Sequence, residues 1–396
     1  MLIAGGGIGG LCTALAIARR GRPSVVLERR SQFSESGAGI QIGPNGVRVL
    51  RQLGVDGHLA PLAARPDALR ACRGADGRLL SLMPLGRTIE ARHGAPYWVA
   101  HRADLQKALL AAVAAEPLIC VRTGWDVTSV TQSASAVRVS SRSGEHMEGP
   151  GLVAADGVWS ALRREVLLAP PLPASRHTAA RTVMDIADVP VRFKANEIGL
   201  WLAPAAHVVH YPVHGGRQVA VVVVVRDSWN GADWSSPASA EEILDHTQAF
   251  SPELRRFLAL SGHWRKWSLY EVAALDHWSD RRITLLGDAA HPPLPFLAQG
   301  GVMALEDAVT LADALQTSRD GVEAAFAEYE RRRKPRIARL LTASAENGRI
   351  YQYAGMMSRL RDLAMRVVPP QRLLARYDWL YGWRPPHAEA PSEIAG

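Results

Sequence analysis

A glycine-rich turn near the first residue constrains the fold more than any other feature of the chain. The segment Gly5-Gly6-Gly7-Ile8-Gly9-Gly10 follows a short apolar strand and opens a helical pattern that runs to Arg20. Gly5, Gly7 and Gly10 satisfy GxGxxG: the first permits a tight turn, the second lets the backbone approach a pyrophosphate, and the third lets helix and strand pack closely. The sequence therefore predicts a dinucleotide-binding βαβ unit whose helix N-terminus faces phosphate.

The strand after this helix supports the same interpretation. Residues 25–27 are apolar and lead into Glu28, whose carboxylate can accept hydrogen bonds from ribose hydroxyl groups. Ile8 and Arg29, which adjoin the turn and the strand end, belong to the predicted cofactor site. A tight turn without chemical meaning is the alternative. No second GxGxxG follows, so we expect one tightly held dinucleotide.

Composition excludes several classes of protein. The chain has 396 residues, 47% hydrophobic and 21% charged, which suits a core shared by two domains. Its longest apolar run, residues 219–225, is far shorter than the roughly 18 residues of a membrane span. Three widely spaced cysteines favour neither a disulfide framework nor a metal site. We expect a cytoplasmic protein without membrane contact, because no basic leader precedes the first strand.

The formal net charge of +8 raises the question of a nucleic-acid partner. The densest basic run, residues 331–334 with Arg336 and Arg339, falls in a helical pattern and lacks the interleaved aromatic side chains of a single-strand binder. We interpret this run as a solvated helix face and expect no nucleic acid.

The rest of the pattern mixes strands and helices. Short strands are predicted within 68–97, near 127, 137 and 152, as an antiparallel sheet over 183–225, and over 282–286. Helices are predicted over 102–116, within 241–260, over 301–316, and from 320 to about 368.

Three further segments combine a strand pattern with small residues, and two of them carry an aspartate. They are Asp156-Gly157 after an apolar stretch, residues 287–292 with Asp288, and residues 37–45 with Gln41. Nearly the whole chain resembles one family in these motifs and in three others: HRADLQ from His101, HVVHYP from His207 and YDWLYGW from Tyr377. The family is the FAD-dependent aromatic hydroxylases, or group A flavoprotein monooxygenases, and the chain is most similar to salicylate 1-hydroxylase, 3-hydroxybenzoate 6-hydroxylase and 6-hydroxynicotinate 3-monooxygenase.

The resemblance implies an α/β fold. It consists of a Rossmann-like FAD/NAD(P)-binding domain of the p-hydroxybenzoate hydroxylase type, an inserted substrate domain with a mixed β-sheet, and C-terminal helices. We expect the FAD-binding domain over residues 1–67, 98–168 and 278–330, the substrate domain over 68–97 and 169–277, a helical segment over 331–384 and a tail over 385–396.

The resemblance also implies further cofactor contacts. Arg102 and Asp288 are expected near the FAD phosphates and ribityl chain, Gln41 near the flavin, and Gly300 and Gly301 at a helix N-terminus beside the ring. Because the chain has no second nucleotide motif, NADH or NADPH is expected to bind transiently at the surface, using Asp156 and Arg163. A helix cap is the alternative role of Asp156.

The implied reaction is hydroxylation of a phenolic or hydroxyaromatic acid with O2 through a flavin C4a-hydroperoxide. If residues 207–213 form a strand, His207, Val209 and Tyr211 share one face. His207 is then the expected acceptor of the phenolic proton and Tyr211 an orienting hydrogen-bond partner. The predicted substrate pocket contains Trp201, Val209, Pro295 and Phe296. Pro295 stands where 3-hydroxybenzoate 6-hydroxylases can carry glutamine.

Other functions remain open at this point. A larger bicyclic or polyketide-type phenol would also suit a mostly apolar pocket, and an FAD-dependent oxidase or reductase could share the fold. A flavin-binding partner protein is the non-enzymatic alternative. The sequence does not determine the exact substrate, the position that is hydroxylated, whether the carboxylate is lost, or which nicotinamide cofactor is used. The long C-terminal helices would suit a homodimer.

Overall fold

A computed structural model describes residues 1–33, 39–168, 173–227, 235–270 and 275–386. Its strands are β1 (Leu2–Ala4), β2 (Ser24–Glu28), β3 (Gly39–Ile42), β4 (Ala68–Arg73), β5 (Leu79–Pro84), β6 (Trp98–His101), β7 (Ile119–Thr123), β8 (Val127–Gln132), β9 (Val137–Ser141), β10 (His146–Gly149), β11 (Leu152–Ala154), β12 (Ala174–Asp185), β13 (Glu197–Ala203), β14 (Ala206–Val213), β15 (Gln218–Arg226), β16 (Ser236–Ala238), β17 (Trp264–Tyr270), β18 (Ser279–Asp280) and β19 (Ile283–Leu285).

The helices alternate with these strands and dominate the last third of the chain. They are α1 (Ile8–Ala18), α2 (Pro44–Leu53), α3 (Asp56–Leu59), α4 (Gly86–His93), α5 (Arg102–Ala114), α6 (Ala161–Leu167), α7 (Ala240–His246), α8 (Pro252–Ala259), α9 (Gly300–Thr317), α10 (Gly321–Tyr351), α11 (Gly355–Val367), α12 (Pro370–Ala375) and α13 (Asp378–Tyr381). In the described ranges, no helix combines the length and apolar character needed to cross a membrane.

A largely parallel sheet lies behind the glycine-rich turn. Within the described ranges its strand order is β18-β19-β11-β1-β2-β7, and β19, β11, β1, β2 and β7 run parallel. The strands β1 and β11 are fully buried, which is the continuous apolar pattern expected of a sheet covered on both faces. Helix α1 packs so closely on β1 that a Cβ atom on Gly10 would lie 1.9 Å from the carbonyl oxygen of Gly5. The predicted strand–turn–helix unit is confirmed.

A second, larger sheet contains eight strands of the described chain. Its order in the described chain is β16-β17-β12-β15-β14-β13-β4-β5, with antiparallel pairs except for the parallel pair β13–β4. The predicted antiparallel sheet over 183–225 is confirmed. The stretch 68–97, predicted as short strands alone, also contains the helix α4. The boundaries of the domains stay a prediction, and residues 387–396 of the predicted tail lie outside the described residues.

The basic run is not the solvated helix face that the sequence predicted. It lies on α10, where Arg333 is 1% exposed because its guanidinium group bonds to two buried carboxylates. Arg336 bonds to one of these carboxylates, that of Glu306, and to the backbone carbonyl groups of Trp379 and Leu380. The charges therefore join α10 to α9 and α13, and only part of the run faces solvent.

Candidate functional site

Three cavities of the described residues form one path across the molecule. The first, the nucleotide cleft, has a volume of about 290 Å³, the second, the central cavity, about 250 Å³, and the third, the apolar chamber, about 160 Å³. The nucleotide cleft and the central cavity share Arg102, Val158, Arg181 and Asp288 as lining residues. The central cavity and the apolar chamber share Gln41, His207, Val209, Pro295 and Ala298. A long ligand can therefore enter from the parallel sheet and reach the larger sheet.

The nucleotide cleft lies at the carboxyl ends of β1, β2 and β11. The structure brings seven of the predicted cofactor residues together in its lining: Gly5, Gly7, Glu28, Arg29, Arg102, Asp156 and Asp288. Ile8 and Gly10 are buried and do not line the cleft. Their part is in the packing of α1, whose first turn directs free backbone N–H groups and the positive end of its dipole toward the cleft.

Glu28 already has hydrogen-bond partners at the end of β2. One carboxylate oxygen accepts a hydrogen bond of 2.8 Å from the backbone N–H of Gly6, and the other accepts one of 2.9 Å from that of Arg30. These bonds fix the carboxylate against the glycine-rich turn. A carboxylate has further acceptor positions, which remain suited to ribose hydroxyl groups.

Asp156 lies on the opposite wall of the cleft. One of its carboxylate oxygens is buried without a hydrogen-bond partner among the described residues, and the other accepts a long bond of 3.4 Å from Leu162. Burial raises the pKa of Asp156, although hydrogen bonds oppose that effect. The cap of α6 is Ser160, whose hydroxyl accepts from Arg163 at 2.9 Å. Asp156 therefore has unused acceptor capacity in the wall of the cleft.

Arg163 does not lie at the surface, which corrects the prediction that it contacts a transient nicotinamide cofactor. It is 2% exposed, and its guanidinium group donates to the backbone carbonyl groups of Ala289 and Val158 at 3.2 Å and 2.9 Å. It joins α6 to the loop that carries Asp288. Its role is to hold two walls of the cleft together.

The residues of the cleft fit the predicted cofactor, FAD. A Cβ atom on Gly7 would meet no other atom within 4 Å, so the backbone there is open to a close approach by a pyrophosphate. The unpartnered oxygen of Asp156 supplies an acceptor for a hydroxyl group. The path continues into the central cavity, as a nucleotide joined to an isoalloxazine ring requires.

Arg102 and Asp288 mark the junction between the nucleotide cleft and the central cavity. Arg102 is the first residue of α5, after the cap His101, and Asp288 lies in a short turn after β19. Burial raises the pKa of Asp288, while the nearby charge of Arg102 opposes the rise. Arg181 on β12 lines the same junction, and its guanidinium group lies 4.7 Å from the centre of the Trp267 ring. Sequence reasoning missed Arg181, because β12 carries several other polar and charged residues that give no reason to single it out.

The larger sheet contributes His207, Val209 and Tyr211 to the central cavity. All three lie on β14 at alternate positions and line this cavity, as the predicted alternation requires. Trp201 does not join them, which corrects the predicted pocket. In the register of β13 and β14, Trp201 lies opposite Val208, and residues directly opposite share a face of the sheet. Trp201 therefore packs with Val208 in the core on the other face.

Gln41 and the start of α9 form the other side of the central cavity. Gln41 lies on β3 and accepts a hydrogen bond of 2.8 Å from the hydroxyl of Tyr97. Gly300 and Gly301 begin α9 and line the cavity. The aligned backbone dipoles place about half a positive charge at this helix N-terminus, which stabilises negative charge on a group placed beside it.

A buried ionic network holds α9 in position. Asp307 accepts hydrogen bonds from Gly287 N at 3.1 Å, from a ring nitrogen of His291 at 2.7 Å, and from Arg333 at 2.6 Å. Glu306 bonds to Arg333, to Arg336 and to the side chain of Asn45. The network joins α2, α9, α10 and the turn of Asp288.

Burial fixes the protonation state of His207 and Tyr211, the polar residues of β14 that line the central cavity. Burial lowers the pKa of His207 to about 3, with a smaller effect from the nearby His177, so the imidazole is neutral at physiological pH. Burial also raises the pKa of Tyr211, so its hydroxyl stays protonated. His207 has an unpartnered Nδ1 atom among the described residues. A neutral imidazole can accept a hydrogen bond from a phenol, but it binds a full proton poorly at this depth.

The apolar chamber lies between the larger sheet and the C-terminal helices. Pro295 and Phe296 line it together with Val209, and the rings of His207 and Phe296 are 5.4 Å apart. Its tyrosine residues, most of which come from the C-terminal helices, were missed by sequence reasoning: Tyr97, Tyr351, Tyr377 and Tyr381. The tyrosine-rich YDWLYGW motif was a signal for some of them.

Comparisons with known proteins agree with this arrangement. A family model described as an FAD binding domain matches residues 1–344. The 3-hydroxybenzoate 6-hydroxylase of Polaromonas naphthalenivorans (strain CJ2) is 36% identical over 384 residues, which cover 97% of this chain and 96% of that protein. A 3-amino-4-hydroxybenzoate 2-monooxygenase of Streptomyces platensis is 34% identical over 384 residues, 96% of this chain and 95% of that protein.

Solved structures show the same fold. Klebsiella pneumoniae HpxO complexed with FAD and uric acid has a TM-score of 0.84 at 24% identity and covers 95% of each chain. A salicylate hydroxylase substrate complex has a TM-score of 0.82 at 22% identity, covering 96% of this chain and 95% of that chain.

Proposed function

Because this chain belongs to the FAD-dependent aromatic hydroxylases, the group A flavoprotein monooxygenases, we propose that it adds one oxygen atom to the ring of a hydroxybenzoate-type acid. The predicted family, fold type, FAD cofactor and enzyme class are confirmed by this membership. The substrate class is supported by the names of the relatives, which are hydroxylases of 3-hydroxybenzoate and of 3-amino-4-hydroxybenzoate. Reduction by NADH or NADPH and use of O2 are parts of the proposal.

The continuous path through the three cavities carries the proposal. It joins a cleft with the features of a dinucleotide site to an apolar chamber through a cavity lined by His207 and Tyr211. A protein that only stored a flavin would not need a separate chamber beyond the ring. The mostly apolar lining with a few polar groups is typical of a site for a small aromatic molecule.

FAD, when bound, supplies the chemistry of hydride acceptance and of oxygen activation. The residues of this chain would position the cofactor and the substrate. The open backbone at Gly7 and the unpartnered oxygen of Asp156 would hold the nucleotide end, and Arg102 and Asp288 at the junction of the two cavities would contact the middle of the cofactor. The N-terminus of α9 stabilises negative charge in the central cavity.

His207 and Tyr211 orient and activate the aromatic substrate. The neutral ring of His207 accepts a hydrogen bond from the phenolic hydroxyl, which draws electron density toward the aromatic ring and favours attack by an electrophilic oxygen. The protonated hydroxyl of Tyr211 donates to a substrate oxygen. The apolar walls exclude water from the reacting atoms.

The cellular location and the assembly also belong to the proposal. The cytoplasm is supported by Cys12, Cys72 and Cys120, which are free thiols. A homodimer is supported by apolar side chains exposed on one face of α11, among them Met356, Leu363 and Val367. Light scattering of the purified protein gives its mass, and a monomer at all concentrations would contradict the homodimer.

The function is tested by oxidation of NADH and NADPH in air with the FAD-loaded protein. The panel contains salicylate, 3-hydroxybenzoate, 4-hydroxybenzoate and 6-hydroxynicotinate, with mass analysis of the products. We expect a hydroxybenzoate to accelerate oxidation and to gain one oxygen atom. Acceleration that yields only hydrogen peroxide, or no response to any hydroxybenzoate, would contradict the proposed function while leaving the flavoprotein family unchanged.

A further inference from the structure

The apolar chamber contains one charged side chain among the described residues that line it, that of Arg376. Arg376 follows the last residue of α12, and its side chain is exposed, which places it at the solvent end of the chamber. No aspartate or glutamate of the described chain lines the chamber, and none pairs with Arg376 within 4.0 Å. The guanidinium group therefore has its full hydrogen-bonding capacity available to a ligand.

Tyr351 connects this end of the chamber to the reacting end. Its ring lies 5.4 Å from the ring of His207, and both residues line the chamber. Burial raises the pKa of Tyr351, and the charge of Arg376 opposes that effect because the two groups are close. Arg376, Tyr351 and His207 thus line the same chamber, which has a volume of about 160 Å³.

Charge balance explains why such a cation is needed. A hydroxybenzoate carries a negative charge at neutral pH, and burying a carboxylate in apolar surroundings without a partner is costly. The other arginines along the described path line the nucleotide cleft or its junction with the central cavity, and none of them lines the apolar chamber: Arg29, Arg30, Arg102 and Arg181. A guanidinium group binds a carboxylate through two parallel hydrogen bonds, which fixes orientation as well as charge.

We infer that Arg376 binds the carboxylate of an aromatic acid at the mouth of the apolar chamber and thereby sets the enzyme's preference for acids over neutral phenols. This inference rests on the proposed function. With the carboxylate at Arg376, the hydroxyl of the substrate points toward His207, and the ring edge between them faces the central cavity. Arg376 is a specificity-determining residue that acts on binding and orientation.

The test compares Arg376→Met with the control Arg372→Met in the FAD-loaded enzyme. Arg372 is exposed on the same short helix but does not line the chamber. The ligands are 3-hydroxybenzoate and the neutral 3-hydroxybenzamide, with Kd measured by isothermal titration calorimetry. We expect Arg376→Met to raise the Kd of the acid about 10-fold or more, since a charge-assisted bidentate pair is lost, and to change that of the amide less than about twofold.

Two further variants separate the possible outcomes. Arg376→Lys keeps the charge but cannot form two parallel hydrogen bonds, so it should restore only part of the affinity for the acid. Arg372→Met should bind both ligands like the wild type. If Arg376→Met weakens the binding of the acid and of the amide equally, the inference is overturned. It is also overturned if Arg181→Met loses the preference for the acid while Arg376→Met keeps it. If the wild-type enzyme binds no hydroxybenzoate, the proposed function falls as well; if it binds the acid and Arg376→Met binds it equally, only the role of Arg376 falls.

Discussion

Replacing Arg333 with methionine tests the buried ionic network that holds α9 in position. Methionine keeps much of the length of the side chain but removes the charge and all donors. In the wild type, the guanidinium group donates to Asp307 at 2.6 Å and to Glu306 at 2.7 Å, and both carboxylates are fully buried. The substitution therefore leaves two buried carboxylates with fewer partners.

The structure decides how much stability is lost. Glu306 keeps two hydrogen bonds from Arg336, so its charge stays compensated. Asp307 keeps only His291 and the backbone N–H of Gly287. Removing one partner of a buried pair costs about 3–5 kcal/mol, and the remaining partners place the expected loss at the lower end of this range. The double variant Arg333→Met/Asp307→Asn should recover part of the loss, because its uncompensated carboxylate is gone.

The loss should depend on pH. Burial alone would raise the pKa of Asp307, but the charges of His291 and Arg333 outweigh it and hold the pKa below its usual range. A carboxyl group whose pKa is lower in the folded than in the unfolded state stabilises the fold at pH values above its unfolded pKa of about 3.9. This stabilisation is lost as the pH falls through the folded-state pKa. The difference between Arg333→Met and wild type should therefore be largest at neutral pH and shrink in acid.

Urea denaturation of the FAD-loaded proteins, followed by circular dichroism, measures these differences. The matched control is Arg331→Met on the same helix, which removes an exposed pair with Glu328 and should leave the midpoint unchanged within error. If Arg333→Met unfolds at the same midpoint as Arg331→Met at neutral pH, the reasoning about the network is refuted. If the loss of stability in Arg333→Met becomes larger as the pH falls, the role assigned to the Asp307 carboxylate is refuted.

The remaining predictions concern the active site. His207→Ala should lower turnover roughly 100-fold with unchanged FAD content. The control is His210→Ala, whose side chain is buried on the opposite face of the same strand and whose loss should leave turnover per bound flavin within about twofold. Equal turnover in the two variants would contradict the role of His207. Because the pKa of His207 is about 3, the pH profile of kcat/KM should show no inflection from this group near its ordinary value of about 6.5. Gly7→Ala should leave the stability of the FAD-free protein unchanged but weaken FAD binding in a fluorescence titration. Gly10→Ala should also impair folding, because its Cβ atom would clash with the backbone. Normal FAD affinity in Gly7→Ala would contradict the predicted pyrophosphate position.

Local patterns in the sequence were sufficient for the elements that hold the cofactor. The glycine spacing, the apolar strand before it and Glu28 after it specified the β1–α1–β2 unit, since turn geometry and helix packing depend on residues close in the chain. The alternation of β14 correctly placed His207, Val209 and Tyr211 on one face. Both inferences use only the period of a single element.

Long-range pairing decided what local patterns could not. Trp201 faces away from the cavities because the register of β13 against β14 sets it opposite Val208, and no property of β13 alone fixes that register. Arg163 and Arg333 look like surface residues in the sequence, yet carbonyl and carboxylate groups distant in the chain bury them. The sequence by itself determined the β1–α1–β2 unit and the face shared by the alternating residues of β14, because both depend on backbone geometry over a few residues. The tertiary structure alone decided which side chains line the chamber and which charges are buried, because burial and pairing are properties of the partners that folding brings together.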